Sequence, residues 1–180
     1  PMGVQPYGFF VKIAGDIKKA VNVPVSAVGR IVDADMAARV IESGMADIVA
    51  MGRPLLADPD WGTKIAAGKA CDIRRCISCN KGCTDAIQNR QFLSCVLNAE
   101  NGYENTRSIQ PAEQKKKIAV LGGGPAGLEA ARVAALRGHR VTLAERSDRL
   151  GGTLFFAALA YPENGRLLDY LVKQMDHPNI

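Results

Sequence analysis

Apolar positions in the first part of the chain switch between helical and extended spacing. A helix is predicted before Pro24 because apolar residues recur three or four apart, at Phe9, Phe10, Ile13, Ile17 and Val21. The apolar run 25–28 predicts a short strand, and Asp33 is placed to cap a second helix that ends at Gly44. The apolar run 46–51 predicts a second strand. Since strands alternate with helices here, we expect the two strands to pair in parallel.

Each of these predicted strands ends on the same dipeptide. Gly29-Arg30 follows the first strand, and Gly52-Arg53 follows the second, 23 residues later. Glycine lets a backbone N–H approach an oxyanion and arginine supplies charge-assisted hydrogen bonds, so the repeat indicates a phosphate site. Two ordinary turns with surface arginines are the alternative. In (β/α)8 barrels the loops after the last two strands often hold phosphate, and a whole barrel needs about 250 residues.

A second strand–helix–strand pattern begins near residue 115. The apolar run 118–121 predicts a strand, and it leads into Gly122-Gly123-Gly124-Pro125-Ala126-Gly127, which matches the G-x-G-x-x-G pattern of dinucleotide-binding folds. A helix with Leu128 and three alanines on one side follows, and the strand 141–144 ends at Glu145, 23 positions beyond the first glycine. Strand, glycine turn, helix and acidic residue together predict a bound dinucleotide, with Glu145 accepting hydrogen bonds from ribose hydroxyls. A glycine pair, Gly151-Gly152, follows closely and favours FAD over NAD.

Composition and charge narrow the class of protein. Apolar residues make up 47% and charged residues 23%, which is typical of a globular protein. The sequence contains no run of 18 apolar residues, so we expect no membrane span. The net charge of +5 is scattered apart from the lysines at 115–117, which favours a solvated strand entry over a nucleic-acid partner. The chain opens on Pro1 without a signal-peptide pattern, so we expect the natural start to be missing and the protein to be cytoplasmic.

The five cysteines lie within 25 residues, which indicates a metal site rather than a disulfide framework. Four of them follow the pattern C-x2-C-x3-C-x11-C, at Cys76, Cys79, Cys83 and Cys95. This spacing favours an iron–sulfur cluster, because three thiolates can come from one loop and the fourth from a returning segment. Zinc is the competing interpretation. It is less favoured, because structural zinc sites usually combine two separate C-x2-4-C pairs and Cys95 stands alone. Unliganded cysteines are the third interpretation. We expect Cys71, which is outside the pattern, to be a buried free thiol.

The order of these motifs resembles the long-form old yellow enzyme family, which includes bacterial 2,4-dienoyl-CoA reductases, 2-enoate reductases and trimethylamine dehydrogenases. The resemblance covers nearly the whole chain and implies three regions: the last βα units of a TIM-barrel FMN domain (1–70), a [4Fe–4S] segment (71–110), and the first part of a FAD/NAD(P)-binding domain (115–180). It therefore implies an α/β protein that ends a (β/α)8 barrel and begins a Rossmann-like FAD domain.

The resemblance also implies roles for single residues. It places Gly29, Arg30, Gly52 and Arg53 at the FMN phosphate and makes the four cysteines of the spacing pattern the cluster ligands. It assigns the FAD-binding positions to Gly122, Gly124, Gly127, Glu145, Gly152 and the adjacent Thr153, where relatives often carry Gln. Family members are more than three times as long, so the catalytic acid is expected outside this chain and no residue here is assigned as catalytic.

The resemblance implies an NAD(P)H-dependent enzyme that reduces an activated C=C bond in a small enoyl or dienoyl substrate. NAD(P)H would reduce FAD, and electrons would pass through [4Fe–4S] to FMN. Two alternatives stay open at this point. An oxidative amine demethylase would share every motif present here, and a zinc-stabilised nucleotide-binding module would be a binding protein. We expect these 180 residues alone to be inactive.

Overall fold

The structure is a computed structural model that describes residues 5–180, so the predicted missing start at Pro1 lies outside the described residues. The chain divides into two compact units, the first ending at Gly102 and the second beginning at Tyr103. Within the described part of the chain, none of the helices has both the length and the apolar character needed to cross a bilayer.

The first unit contains a small parallel sheet with helices around it. Strands β1 (Ser26–Ala27) and β2 (Ile48–Val49) pair in parallel, with Ser26 opposite Ile48, so the predicted parallel pairing is confirmed. Asp33 accepts a hydrogen bond from the Met36 N–H at 2.8 Å, which confirms the predicted helix cap. The α-helices of this unit are α1 (Val11–Ala20), α2 (Ala34–Glu42), α3 (Arg53–Ala57), α4 (Trp61–Ala66) and α5 (Thr84–Gln88), with a 3-10 turn at Ala70–Asp72.

The core of this unit lies between α1, α2 and the sheet. It buries small and branched residues, namely Ala14, Ala27, Ile31, Val40 and Ala46. The predicted helix α1 is present, but its apolar stripe is not the side that packs inward: Ile13 and Ile17 are both about half exposed. The buried side carries Ala14 and Gly15 instead. A side chain at Gly15 would meet Met45 at 2.8 Å, so small residues allow the close packing here.

The second unit contains the β–α–β pattern predicted from the glycine motif. Strands β3 (Lys117–Leu121) and β4 (Arg140–Ala144) pair in parallel over five residues, from Lys117 opposite Arg140 to Leu121 opposite Ala144. The remaining elements are α6 (Glu104–Arg107), α7 (Pro125–Leu136), α8 (Thr153–Ala160), α9 (Glu163–Lys173) and a 3-10 turn at Gln174–Asp176. Helix α7 buries Leu128, Ala131 and Ala135, the side predicted from the sequence.

Candidate functional site

Four cysteines line one cavity in the first unit. They are the four of the predicted spacing pattern: Cys76, Cys79, Cys83 and Cys95. Cys76 is buried and the other three are partly buried. Cys71 is exposed and does not line the cavity, so the expectation that it is a buried thiol was wrong. The described residues contain no group of three or more Cys, His, Asp or Glu side chains arranged to hold a metal ion. The four cysteines of the predicted pattern nevertheless line the same cavity.

The returning segment reaches the cysteine loop through a backbone contact. The Ser94 N–H donates a hydrogen bond to the Gly82 carbonyl oxygen at 2.7 Å. A Cβ at position 82 would lie 2.7 Å from the Ser94 carbonyl oxygen, so only glycine permits this approach. Because Cys83 and Cys95 directly follow these two residues, the contact brings the fourth cysteine to the loop that carries the other three.

Left-handed backbone turns flank the second cysteine. Ser78 has φ 55° and Asn80 has φ 63°, on either side of Cys79. Non-glycine residues adopt this conformation infrequently, and asparagine tolerates it better than most. The Ser78 N–H lies 3.4 Å from the Cys76 sulfur, within hydrogen-bonding distance. The backbone of the loop thus turns sharply on both sides of Cys79. Backbone conformations of this kind cluster at functional sites.

Partly buried hydrogen bonds connect both cysteine segments to helix α3 and to the residue that follows it. The Asp58 carboxylate accepts a hydrogen bond from the Arg74 N–H at 2.8 Å. The Arg74 guanidinium in turn donates to the Leu97 carbonyl at 2.7 Å, two residues beyond Cys95. The Asn98 amide donates to the Leu56 carbonyl at 3.0 Å. These bonds thus connect the segment before Cys76 and the segment after Cys95 to each other and to the end of α3.

Burial favours the neutral form of two of the four thiols. Burial raises the pKa of the Cys76 thiol above its usual range, against the lowering effects of the Ser78 N–H and the Arg53 charge. Burial also raises the pKa of the Cys95 thiol, partly offset by backbone N–H donors. Since metals bind thiolates, binding here would release protons and be favoured at higher pH.

The first Gly-Arg pair follows strand β1. Arg30 lies over the Tyr7 ring, with its guanidinium carbon 4.4 Å from the ring centroid, and it donates a hydrogen bond to the Gln5 carbonyl. The backbone of Arg30 is left-handed, at φ 50°. A side chain at Gly29 would meet Phe10 at 2.9 Å. Stacking on an aromatic face fixes the direction of the guanidinium, which a phosphate-binding arginine requires.

The second Gly-Arg pair starts helix α3, with Gly52 at the cap position and Arg53 as the first helical residue. The Arg53 guanidinium lies at the cysteine cavity, where it donates a hydrogen bond to the Asn80 side-chain oxygen at 2.5 Å. This contact is not evident from the sequence, which assigns Arg53 to the FMN phosphate alone. The phosphate roles of Arg30 and Arg53 stay predictions.

The glycine turn of the second unit has the shape that a pyrophosphate needs. A Cβ at Gly127 would lie 1.9 Å from the Gly122 carbonyl oxygen, so glycine is required for helix α7 to pack against the turn. A Cβ at Gly124 would enter open space. Gly124 also precedes the first residue of α7, whose free N–H groups and dipole favour an anion. The open space at Gly124 thus fits a phosphate group.

Glu145 lies at the end of β4 beside this turn. Its carboxylate accepts hydrogen bonds from the Gly123 N–H at 2.7 Å and from the Ser147 N–H at 2.8 Å and hydroxyl at 2.9 Å. These donors, those of Ser147 first, lower the pKa of Glu145 to about 2. The side chain is therefore an ionised acceptor at neutral pH, as ribose recognition requires. It lines an open cleft with Leu121 and Gly122.

The second glycine pair returns to the same turn. The Gly151 N–H donates to the Gly123 carbonyl at 2.7 Å, and a Cβ at Gly152 would lie 3.2 Å from the Gly124 Cα. Thr153 is the first residue of helix α8. The structure thus places all the predicted FAD-binding residues of this unit at or next to one turn.

Comparison with known proteins identifies the family. Residues 9–72 match the model described as "NADH:flavin oxidoreductase / NADH oxidase family". Over this segment the chain matches that family, and the family resemblance predicted from the motifs is confirmed. Residues 117–174 also match the model for FAD dependent oxidoreductases, so both matched segments point to flavin chemistry.

Relatives and solved structures extend over nearly the whole chain. Bilirubin reductase of Mediterraneibacter gnavus is 56% identical over 97% of this chain and 28% of its own. Cinnamate reductase of Clostridium sporogenes is 43% identical over 86% of this chain and 23% of its own. The solved structure of a 2-naphthoyl-CoA reductase complex matches with a TM-score of 0.92 and 34% identity, over 97% of this chain and 27% of that one.

The chain spans about a quarter of the length of these relatives. Amine dehydrogenases also match, at 39–40% identity.

Several residues that shape the site are missed by sequence reasoning. Asp58, Asn80 and Ser147 act through contacts with residues distant in sequence or through local backbone geometry, which spacing patterns do not reveal. Tyr7 has no matching motif either, and its stacking on Arg30 depends on how the first segment folds back. A weak signal exists for Ser147 alone, since a hydroxyl residue two positions after an acidic residue often closes a turn.

Proposed function

We propose that this chain is the part of an NAD(P)H-dependent flavin and iron–sulfur oxidoreductase that binds a [4Fe–4S] cluster and contributes to the FMN and FAD sites. The observation that carries the proposal is the convergence of Cys76, Cys79, Cys83 and Cys95 on one cavity. In sequence, this segment lies between the residues that match the NADH:flavin oxidoreductase model and those that match the FAD model.

The residues present fit the three cofactors. Four thiols around a shared cavity suit a multi-atom cluster, and Arg53 supplies a positive charge on the cavity wall. Gly29-Arg30 and Gly52-Arg53 would hold the FMN phosphate at the ends of β1 and β2. The turn at Gly124 and the Glu145 carboxylate would hold the FAD pyrophosphate and ribose. When bound, these groups would supply hydride acceptance from NAD(P)H at FAD and one-electron transfer through the cluster to FMN.

The reaction we propose is reduction of an activated C=C bond in a small enoate or dienoyl-CoA type substrate. The proposal is supported by the reductase names of two relatives and of the solved structure. Amine dehydrogenation is the second candidate, because amine dehydrogenases are also among the matches. The proposed regions are a barrel end at 1–70, a cluster segment at 71–110 and the start of a FAD domain at 115–180. The catalytic acid is proposed to lie outside this chain.

The experiment tests the metal directly in the full-length protein. It is purified anaerobically, its visible absorption is recorded, and iron, sulfide and zinc are measured. We expect iron and sulfide, and their loss when alanine replaces any one of Cys76, Cys79, Cys83 or Cys95. The matched control is Cys71→Ala, since this thiol is exposed and outside the cavity.

Two outcomes would contradict the proposal. Zinc in place of iron would support the binding-module alternative instead. Loss of iron from Cys71→Ala with retention in Cys95→Ala would show that the ligand set is wrong. Turnover assays with an enoate and with a methylated amine then separate the reductase from the amine dehydrogenase.

A further inference from the structure

We propose that Arg53 is a positioning residue shared by two cofactor sites: one donor of its guanidinium fixes the cysteine loop through Asn80, while the remaining donors serve the FMN phosphate. The inference rests on the proposed function, since it assigns a role toward the cluster and the FMN. Sequence reasoning places Arg53 at the phosphate only, and the structure adds the contact with the cysteine loop.

The first part of the argument is the position of the guanidinium. Arg53 begins helix α3 directly after the Gly52 turn, and its Nη1 lies 2.5 Å from the Asn80 side-chain oxygen. The same side chain lines the cavity that the four cysteines surround. A guanidinium has five N–H donors, so one bond to Asn80 leaves others for a phosphate. One residue can therefore serve both sites at once.

The second part is the position of Asn80 in the loop. Asn80 directly follows Cys79 and has a left-handed backbone, at φ 63°. Its side-chain oxygen also accepts a hydrogen bond from the Thr84 hydroxyl at 3.4 Å, and its carbonyl accepts one from the Asp85 N–H at 3.0 Å. The residue thus links the loop to the first turn of α5. Holding Asn80 fixes the stretch from Cys79 to Cys83.

The third part is charge. Thiolates around a buried cluster carry excess negative charge, and Arg53 is permanently protonated. Positive charge beside a cluster favours the form with one more electron, so Arg53 is expected to raise its reduction potential. Because an anionic phosphate on the same guanidinium would partly neutralise this charge, FMN binding and the cluster potential are expected to be coupled through Arg53.

The test uses three variants of the full-length protein. Arg53→Gln removes the charge but keeps a donor for Asn80, and Arg53→Lys keeps the charge but removes the planar fork. Asn80→Gly removes the side-chain bonds to Arg53 and Thr84 without straining the left-handed backbone, and it leaves Arg53 in place. The control is Lys12→Gln, an exposed cation on α1. The readouts are iron, FMN and FAD per chain and the midpoint potential of the cluster in an electron-paramagnetic-resonance titration.

Each variant has a distinct expected result. Arg53→Gln lowers the potential, by roughly a tenfold change in the reduction equilibrium, which is about 59 mV for one electron, and it also loses FMN. Arg53→Lys keeps the potential near the native value. Asn80→Gly lowers iron content or shifts the potential without loss of FMN, because the guanidinium remains. Lys12→Gln changes none of these.

The inference is overturned if Arg53→Gln and Asn80→Gly both leave iron content and potential unchanged, or if Lys12→Gln shifts the potential equally. If Arg53→Gln also loses FAD, which marks general unfolding, the iron content and potential of Asn80→Gly decide whether the inference holds. Failure of the proposed function looks different, because the native protein would then contain no iron before any variant is made.

Discussion

The carboxylate of Asp58 is the buried charge on which the cysteine scaffold depends. Asp58 follows helix α3 and is 3% exposed. One of its oxygens accepts hydrogen bonds from the Lys64 ammonium at 2.6 Å and the Arg74 N–H at 2.8 Å. The other accepts from the Asp60 N–H at 3.2 Å. We predict that Asp58→Asn loosens the segment that leads into Cys76 while leaving its volume unchanged.

The magnitude follows from the number of acceptors. An asparagine side chain has one acceptor oxygen, so its NH2 group must face either the Asp60 N–H or the two donors Lys64 and Arg74. Losing one hydrogen bond to a charged, buried group costs about 1.5–3 kcal/mol. Removing one partner of a buried ion pair costs about 3–5 kcal/mol, which sets an upper bound because the amide retains one bond. The expected loss is about 1.5–3 kcal/mol, or roughly 10- to 150-fold in the opening equilibrium.

Hydrogen–deuterium exchange of peptides containing Arg74 measures this opening locally. The matched control is Asp16→Asn, the same chemical change in the exposed Lys12–Asp16 pair on α1. Exposed pairs of this kind often contribute nothing measurable, so exchange there should be unchanged. Equal exchange at Arg74 in Asp58→Asn, the control and the native protein would refute the reasoning. Iron content should fall in Asp58→Asn alone.

Two further predictions concern the dinucleotide turn. Gly124→Val should abolish FAD retention, because its side chain fills the open space at the proposed pyrophosphate site, whereas Gly62→Val, which also enters open space, should retain FAD; equal retention in both variants would contradict the assignment. Hydrogen bonding holds the pKa of Glu145 at about 2, below its usual 4.5, so its contribution to stability is complete above pH 4.5 and is lost as pH falls toward 2. Ser147→Ala should raise this pKa in a carboxyl NMR titration, and an unchanged midpoint would show that the hydroxyl is not a determinant.

The cysteine site was predicted in part from the sequence. Spacing predicts which four belong together, and the cavity contains the same four. How Cys95 returns is decided by the contact between Gly82 and Ser94, twelve residues apart, which leaves no periodic pattern in the sequence. The hydrogen bond from Arg74 to Asp58 likewise cannot be predicted from the sequence, because a single aspartate at a helix end is commonly a cap or a surface charge.

The sequence by itself determined the elements and the motifs. Hydrophobic spacing and turn residues are local properties, so they predicted α2 with its Asp33 cap, the parallel strands, and the strand–turn–helix around Gly122 and Gly124. The same local signal predicted the buried side of α7 correctly but failed on α1. On α1 it marked the apolar stripe with Ile13, which is exposed, while the small residues Ala14 and Gly15 pack inward.

Only the tertiary structure decided which further side chains and backbone donors join the cysteine cavity and the dinucleotide turn. Arg53 and Asn80 are separated by 27 positions, yet their side chains form one hydrogen bond at the cysteine cavity. Glu145 is an acidic strand end in the sequence, but its low pKa depends on the donors that the fold places around it. Hydrogen bonds and charge interactions act over a few ångströms in space, so they depend on chain packing that residue spacing does not encode.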